Sequence, residues 1–272
     1  MENVGIYSYM ILCYTFYKWN HKFRQYETYD KMREKIMKAV IMAAGTGNRI
    51  SRMIQEIPKS TLPIDGKPLI RIMVESLIHR GLEPVVIVGY KREKIIEALE
   101  GLNVTYYYNP FYAVTNSIAT LWFAREELAG DVLFMNADVF VSEEILTGIL
   151  EDERDVVMSI DVTRRKTGDY FFSTTDDGII KKYGKDLPID QRTCEYVGIA
   201  KVRESFMGRF KERLEEMIDK GSYMCWWENV LYSFTDTGEY PINTIDVKNL
   251  FWSEIDYFDD YERILKYISK ER

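Results

Sequence analysis

Histidine and cysteine are nearly missing from this chain of 272 residues, which has 2 of the former and 3 of the latter. With only His21 and His79, a mechanism built on a catalytic imidazole has little to work with, and His79, in L-I-H-R-G, reads as the end of a helix. Cys13, Cys194 and Cys225 are odd in number and widely spaced, which excludes a disulfide framework and a zinc-ligand pattern. A basic excess is missing too. The net charge of −7 argues against nucleic-acid binding, which needs a basic face, but leaves small anionic ligands open, since a few placed cations hold those. Long apolar runs are absent. The aromatic-rich stretch Y-S-Y-M-I-L-C-Y-T-F-Y near the start is too short to span a bilayer, and Met-Glu-Asn lacks the basic region of a secretory signal, so a cytoplasmic location is expected. There is no repeat, low-complexity run or Pro/Gly linker. The expected organisation is an extension over residues 1–36, an extra helix or poorly ordered, and one domain over 37–272, with Met37 a conceivable natural start. Homo-oligomerisation is left open.

What is present is a core-forming chain, 46% hydrophobic and 14% aromatic, in which buried-strand and helix patterns alternate. Ala39–Ala44 is a continuous apolar run, as a strand buried on both faces requires. Pro68–Arg80 has helical spacing and stops at Gly81; Pro84–Val88 is a second strand, Glu93–Glu100 a short helix and Val104–Tyr108 a third strand. Ser117–Leu128 reads as a helix and Val132–Met135 as a fourth strand, ending at Asn136-Ala137-Asp138. Such alternation predicts an α/β fold with three layers around a mostly parallel sheet. After Asp155 the character changes. A strand D-V-V-M-S-I-D precedes a hairpin, Tyr170–Thr174 and Ile179–Tyr183, around the turn D-D-G. Glu195–Val202 is another strand, and helices are expected at Glu204–Asp219 and Trp226–Phe234. A last strand pair, Thr244–Val247 and Phe251–Trp252, leads to a closing helix over Phe258–Ile268, so the sheet is expected to be mixed.

The stretch K-A-V-I-M-A-A-G-T-G-N-R, from Lys38 to Arg49, joins the first strand to a glycine turn. A dinucleotide-binding turn would need a third glycine where Ile50 stands. A Walker loop would need Gly-Lys-Ser/Thr where Ile50-Ser51-Arg52 stands. A plain structural turn remains, because strand-to-helix turns often take glycine for its backbone freedom. Against that bland reading, backbone N–H groups at such a turn cradle anions, Arg49 adds a forked donor, and Lys59 adds a second cation ten residues on. The turn also falls at the C-terminal edge of the first strand, where open α/β sheets bind ligands.

I-M-A-A-G-T-G-N-R followed by P-K-S-T-L-P resembles the signature of the sugar-phosphate nucleotidyltransferases, from about Met37 to the C-terminus. Thr115-Asn116-Ser117, C-E-Y-V-G-I-A-K at 194–201 and W-W-E-N at 226–229 look like small cytidylyltransferases that activate phosphocholine, aminoethylphosphonate or phosphoglutamine. The chain departs from the pattern at Ile50-Ser51-Arg52, where many relatives carry Leu and a Pro, and in its N-terminal extension. The resemblance implies a Rossmann-like nucleotidyltransferase fold that uses CTP, or another NTP, and a small phosphorylated acceptor. It implies Mg²⁺ held by Asp138, in F-M-N-A-D-V-F, and Asp256, in W-S-E-I-D-Y-F-D-D-Y. It implies nucleotide contacts along Ala43, Ala44, Gly45 and Gly47, at Gly89 and Tyr90, and at Asn116 and Ser117.

The chemistry suits these residue types. A phosphate or phosphonate oxygen, already anionic, attacks the α-phosphorus and pyrophosphate leaves, so no strong base is required. The obstacle is charge, and catalysis is mostly positioning and neutralisation. Arg49 is expected at the β/γ-phosphates and Lys59 at the α-phosphate. An uncompensated carboxylate at the end of a buried strand is costly, which favours a metal role for Asp138 over a helix cap. Asp256 has Glu254, Asp259 and Asp260 as neighbours, and its assignment rests on the resemblance. Lys185 is a candidate contact for the acceptor phosphate or a solvated lysine, and Glu195 a candidate for ribose or a substrate amine. Trp226, Trp227 and Tyr223 are core residues or the wall of a cationic site, where an aromatic face is worth about 1–2 kcal/mol when desolvated. Side chains one apart on a helix point ~100° from each other, so at most one of the two tryptophans is expected to face a ligand.

Overall fold

The structure, a computed structural model, describes residues 36–47 and 57–270. Arg49, residues 1–35 and the stretch Ile50-Ser51-Arg52 lie outside the described residues. Thirteen strands are present among them, nine of which form one sheet. β1 (Lys38–Ala43) lies at its centre, parallel to β4 (Glu83–Val88) on one side and to β6 (Val132–Asn136) on the other. β5 (Thr105–Tyr108) extends the parallel part beyond β4. The chain thus runs outward from β1 through β4 and β5, then returns to place β6 on β1's other flank. That reversal opens a crevice at the C-terminal ends of β1 and β6, where open α/β sheets receive ligands.

Successive residues of β1 serve opposite faces, as the two-residue strand period demands. Val40 and Met42 join a core with the helices α3 (Ser117–Phe123), α5 (Glu204–Asp219) and α6 (Asn229–Thr237). Ala39, Ile41 and Ala43 join the opposite core with α1 (Leu69–His79), α2 (Arg92–Ala98) and α4 (Glu143–Glu151). The fold is therefore three-layered, and its central strand is apolar from Ala39 to Ala43 because both faces are covered.

The second half makes the sheet mixed. β8 (Val156–Asp161) and β9 (Phe171–Thr174) pair antiparallel with β11 (Cys194–Val202), which itself runs antiparallel to β6. β10 (Ile180–Gly184) closes the expected hairpin on β9. Three sequence expectations are corrected. The last two strands do not pair with each other: β12 (Asn243–Asp246) runs parallel to β8, and β13 (Trp252–Glu254) pairs antiparallel with β7 (Val139–Val141). α4 was not anticipated; its E-E-I-L-T-G-I-L-E follows a two-strand turn and carries a glycine inside, which weakens the helical signal. The helix expected from Trp226 begins at Asn229, so both tryptophans sit in the turn before it. A short β2–β3 ribbon (Pro63–Ile64 and Lys67–Pro68) bridges to α1. Among the described residues no helix is long and apolar enough to cross a membrane.

Candidate active site

Three carboxylates and one ammonium meet at the crevice. Asp138 occupies the tight turn between β6 and β7. Asp256 follows β13, and the β7–β13 ladder, with Glu254 opposite Val139, carries it to that turn. The Ile255 N–H donates to the Asp138 carbonyl at 2.9 Å and locks the two segments together. Asp256 is further held through its N–H, which donates to Asp260 of α7 (Phe258–Ile268) at 3.2 Å. One carboxylate oxygen from each of Asp138, Glu254 and Asp256 lies within 4.8 Å of the others. Lys59 opens the short 3₁₀ turn Lys59–Thr61 and points its Nζ into this group, 2.5 Å from Asp256 and 3.6 Å from Asp138.

The electrostatics follow from that crowding. Burial would lower the Lys59 pKa, yet Asp138, Asp256 and Glu254 together hold it above the ordinary lysine value. Burial pushes the Asp138 carboxyl up and Asp256 adds to the push, against the pull of Lys59. Glu254 is raised well above the carboxylate range, by burial first and by Asp138 and Asp256 next. One ammonium cannot balance three crowded carboxyl groups in their charged form, which is why burial and mutual repulsion push Asp138 and Glu254 up. That crowding, and a donor set made only of oxygen, fit a hard divalent cation.

The glycine turn forms the adjacent wall. Gly47 has φ +62°, and a Cβ there would sit 2.8 Å from the Lys59 Cγ, so the turn is glycine because the lysine stem runs against it. Gly45 and Met42 line the cavity on the Lys59 side and also a second one beside it. Ala43 ends β1 on the Lys59 side and Ala44 faces the second cavity. Gly89 is packed against Ala44, and the Tyr90 N–H donates to the Ala44 carbonyl at 3.1 Å, so both brace the turn from behind.

The second cavity runs from Ala44 and Gly45 past Tyr112, Thr115 and Thr120 to Trp226, Glu228 and Glu254. Asn116 and Ser117 line it and also fasten its far wall. The Asn116 side chain caps α3 by accepting from the Ser117 N–H, and the Asn116 backbone N–H donates to the Tyr223 carbonyl at 2.8 Å. The Trp227 N–H donates to Ser117 Oγ at 2.9 Å. The tryptophans then part. Trp226 is 39% exposed and lines the cavity, whereas Trp227 is 0% exposed and stacks on Phe134 in the core. Trp227 is thus corrected from a substrate contact to a core residue, although its Nε1 donates to Asn136 Oδ1 at 2.9 Å. Asn136 in turn donates to Glu228 at 3.2 Å. Burial pushes the Glu228 carboxyl up to about 7.

Of two further sequence candidates, Glu195 lies away from the cavity and Lys185 lies beside its Trp226 wall. Glu195 is buried under the segment joining β8 to β9, faces Arg164 at 2.9 Å and does not line the cavity. Burial pushes its carboxyl up to about 7 against the pull of Arg164. Lys185 pairs with Asp169 at 2.8 Å, and its Nζ stands 5.2 Å from the Trp226 ring centre. Glu254, Glu228 and Asn136 were not singled out as site residues. Glu254 had a readable signal, since two residues before Asp256 on a strand is the same face. Glu228 showed only as the acid of W-W-E-N beside the tryptophans, and its bond to Asn136 had no signal, because packing brings the two together across 92 residues of chain.

Comparison with known proteins agrees with this geometry. Residues 39–205, more than half of the chain, match the MobA-like NTP transferase domain. A choline-phosphate cytidylyltransferase of Streptococcus pneumoniae is 24% identical over 86% of this chain and 100% of its own. A 2-aminoethylphosphonate cytidylyltransferase of Lancefieldella rimae is 29% identical over 54% of this chain and 60% of its own. A solved CTP:phosphocholine cytidylyltransferase from Streptococcus pneumoniae superposes with a TM-score of 0.70 at 20% identity, covering 86% of this chain and 99% of that one. Uridylyltransferases of glucose 1-phosphate are also among the relatives. With its three-layered sheet, its glycine turn and a lysine set among carboxylates at the end of the central strands, the chain belongs to the family of MobA-like NTP transferase domains and is a nucleotidyltransferase.

Proposed function

We propose that the protein transfers a cytidylyl group from CTP to a small phosphorylated or phosphonate amino compound and releases pyrophosphate. The observation that carries this reading is the Lys59–Asp138–Asp256 cluster at the junction of two cavities, one lined by the glycine turn and one by Trp226 and Glu228. The triphosphate would lie along the turn, with its α-phosphorus near the shared residues Gly45 and Asp138. Asp138, Asp256 and Glu254 would hold Mg²⁺, which when bound supplies neutralising charge to the triphosphate. The Lys59 ammonium is placed to favour charge developing on the α-phosphate. Arg49, two residues after Gly47 in the sequence, is assigned to the leaving pyrophosphate. The acceptor's anionic end is the nucleophile and needs no base.

The acceptor's other end is read as an ammonium. Glu228 offers a buried carboxylate, and Trp226 and Tyr112 are the aromatic residues of the lining, the Trp226 ring being already approached by Lys185. A primary ammonium gains hydrogen bonds from Glu228 that a quaternary one cannot form, and Lys185 competes for the Trp226 face that a quaternary ammonium would need. We therefore read the acceptor as aminoethylphosphonate or phosphoethanolamine before phosphocholine. The test is a matrix of CTP, UTP, ATP and GTP against these three acceptors and glucose 1-phosphate, read as pyrophosphate release with Mg²⁺. The expected result is turnover with CTP and a primary-amine acceptor. Turnover only with UTP and glucose 1-phosphate would overturn the reading in favour of a sugar-phosphate enzyme.

A further inference from the structure

We propose that Glu195 is a positioning residue: it pins the segment 162–169 and thereby holds the Asp169–Lys185 pair and Tyr170 against Trp226, setting the wall of the acceptor pocket. The register of β11 places it for this task. Glu195 lies opposite Asp161, where β8 ends, and opposite Phe171, where β9 begins. Both roots of the connecting segment therefore flank one carboxylate. That carboxylate takes hold of the segment twice. Oε1 accepts the Asp169 N–H at 2.9 Å, and Oε2 faces the Arg164 Nε at 2.9 Å. Arg164 is also laid over the Trp252 ring, 4.3 Å from its centre, so its end of the segment is clamped from both sides.

Gly168 completes the fit. A Cβ at that position would stand 2.2 Å from Glu195 Oε1, so the backbone is pressed directly onto the carboxylate. From there the contacts run to the cavity. Asp169 receives Lys185 at 2.8 Å, Lys185 stands 5.2 Å from the Trp226 ring centre, and Tyr170 meets Trp226 edge-on at 5.5 Å. The segment itself is exposed at Arg165 and Lys166, while its anchor is buried. A buried carboxylate with two charged or polar partners in one short segment costs desolvation, and that cost is offset only while the segment stays docked.

The consequence for the acceptor rests on the function proposed above; the anchor does not. Two measurements separate them. In limited trypsin digestion, cutting after Arg165 and Lys166 requires local opening, so Glu195→Ala and Gly168→Ala should each be cut about tenfold faster than wild type, with Glu195→Gln between. In the Glu195→Ala background, Gly168→Ala should add little, because the clash has lost its partner. Kinetics with whichever acceptor the wild type turns over should show the acceptor KM raised about tenfold or more in Glu195→Ala, with the KM for CTP unchanged and partial rescue by Glu195→Gln. Unchanged cutting at those two sites in protein of wild-type circular dichroism overturns the anchor. Faster cutting with an unchanged acceptor KM, or equal rises in both KM values, overturns the link to the pocket. If the acceptor class is misassigned, the digestion still decides the anchor.

Discussion

Between Lys38 and Asp138 the glycine turn and Asp138 sit at the ends of parallel strands, and Lys59, on a short 3₁₀ turn, reaches them from nearby in the chain. Between Val139 and Asp256 the site residues come from antiparallel strands, a three-residue ladder and the turn before a helix. The difference lies in how far each depends on the rest of the molecule. Gly47 and Lys59 meet across twelve residues of chain through one contact of a lysine stem with a glycine. Asp256 reaches Lys59 across 197 residues, and only because β13 pairs with β7 and Ile255 bonds to Asp138. The first region is a local device, and the second is assembled. Damage to the first should strike chemistry, and damage to the second, Glu254 and Asp256 of the shared cluster apart, should strike acceptor recognition or the fold.

The largest expected effects break the cluster that joins the two regions. Lys59→Ala should lower kcat by ~10²-fold or more, since a donor aimed at developing charge is worth several kcal/mol, while CTP binding weakens less. Normal turnover in a pyrophosphate-release assay would show that the chemistry lies elsewhere. Asp138→Asn and Asp256→Asn should each abolish turnover without unfolding the protein, and EDTA should do the same to the wild type. Full activity in EDTA would remove the metal from the mechanism.

The tryptophans sharpen the comparison at one step of sequence. Trp227→Ala should cost about 3–5 kcal/mol of stability in denaturant unfolding, as large truncations in a core do. Trp226→Ala should leave stability nearly unchanged and raise the acceptor KM. Equal stability losses in the two variants would contradict their separation into core and wall.

The smallest expected effect is a pH dependence of stability. Glu228 has a folded value near 7, above the ordinary 4.5, because burial penalises its charged form. The stability associated with its proton is present at low pH and is lost as pH rises through about 7. Glu228→Gln should therefore raise the melting temperature more at pH 8 than at pH 5. An equal shift at both values would mean that Glu228 ionises as freely in the folded protein as in the unfolded one.

The phosphate side was legible because its determinants are short-range. A strand buried on both faces is apolar at every position, and a turn that must let a lysine stem pass is a glycine. Both show in K-A-V-I-M-A-A-G-T-G, and the strand-helix alternation up to Asn136 followed from the same periodicities. The acceptor side was legible only in fragments. E-Y-V-G and W-W-E-N were visible as strings, yet Glu195 turned out to hold a neighbouring segment and Trp227 to fill the core. Nothing local separates a carboxylate that faces a ligand from one that faces an arginine.

By itself, then, the sequence determined the parallel core and the glycine turn, because backbone period and steric room are properties of neighbouring residues, while Lys59 and Asp138 were legible as candidates with the help of the family resemblance. Tertiary structure alone decided that Glu254 joins Asp138 and Asp256, that Trp226 rather than Trp227 lines the cavity, and that Asn136 bonds Glu228. Those outcomes depend on strand pairing and burial between segments about a hundred residues apart, and burial is a property of the whole packed molecule.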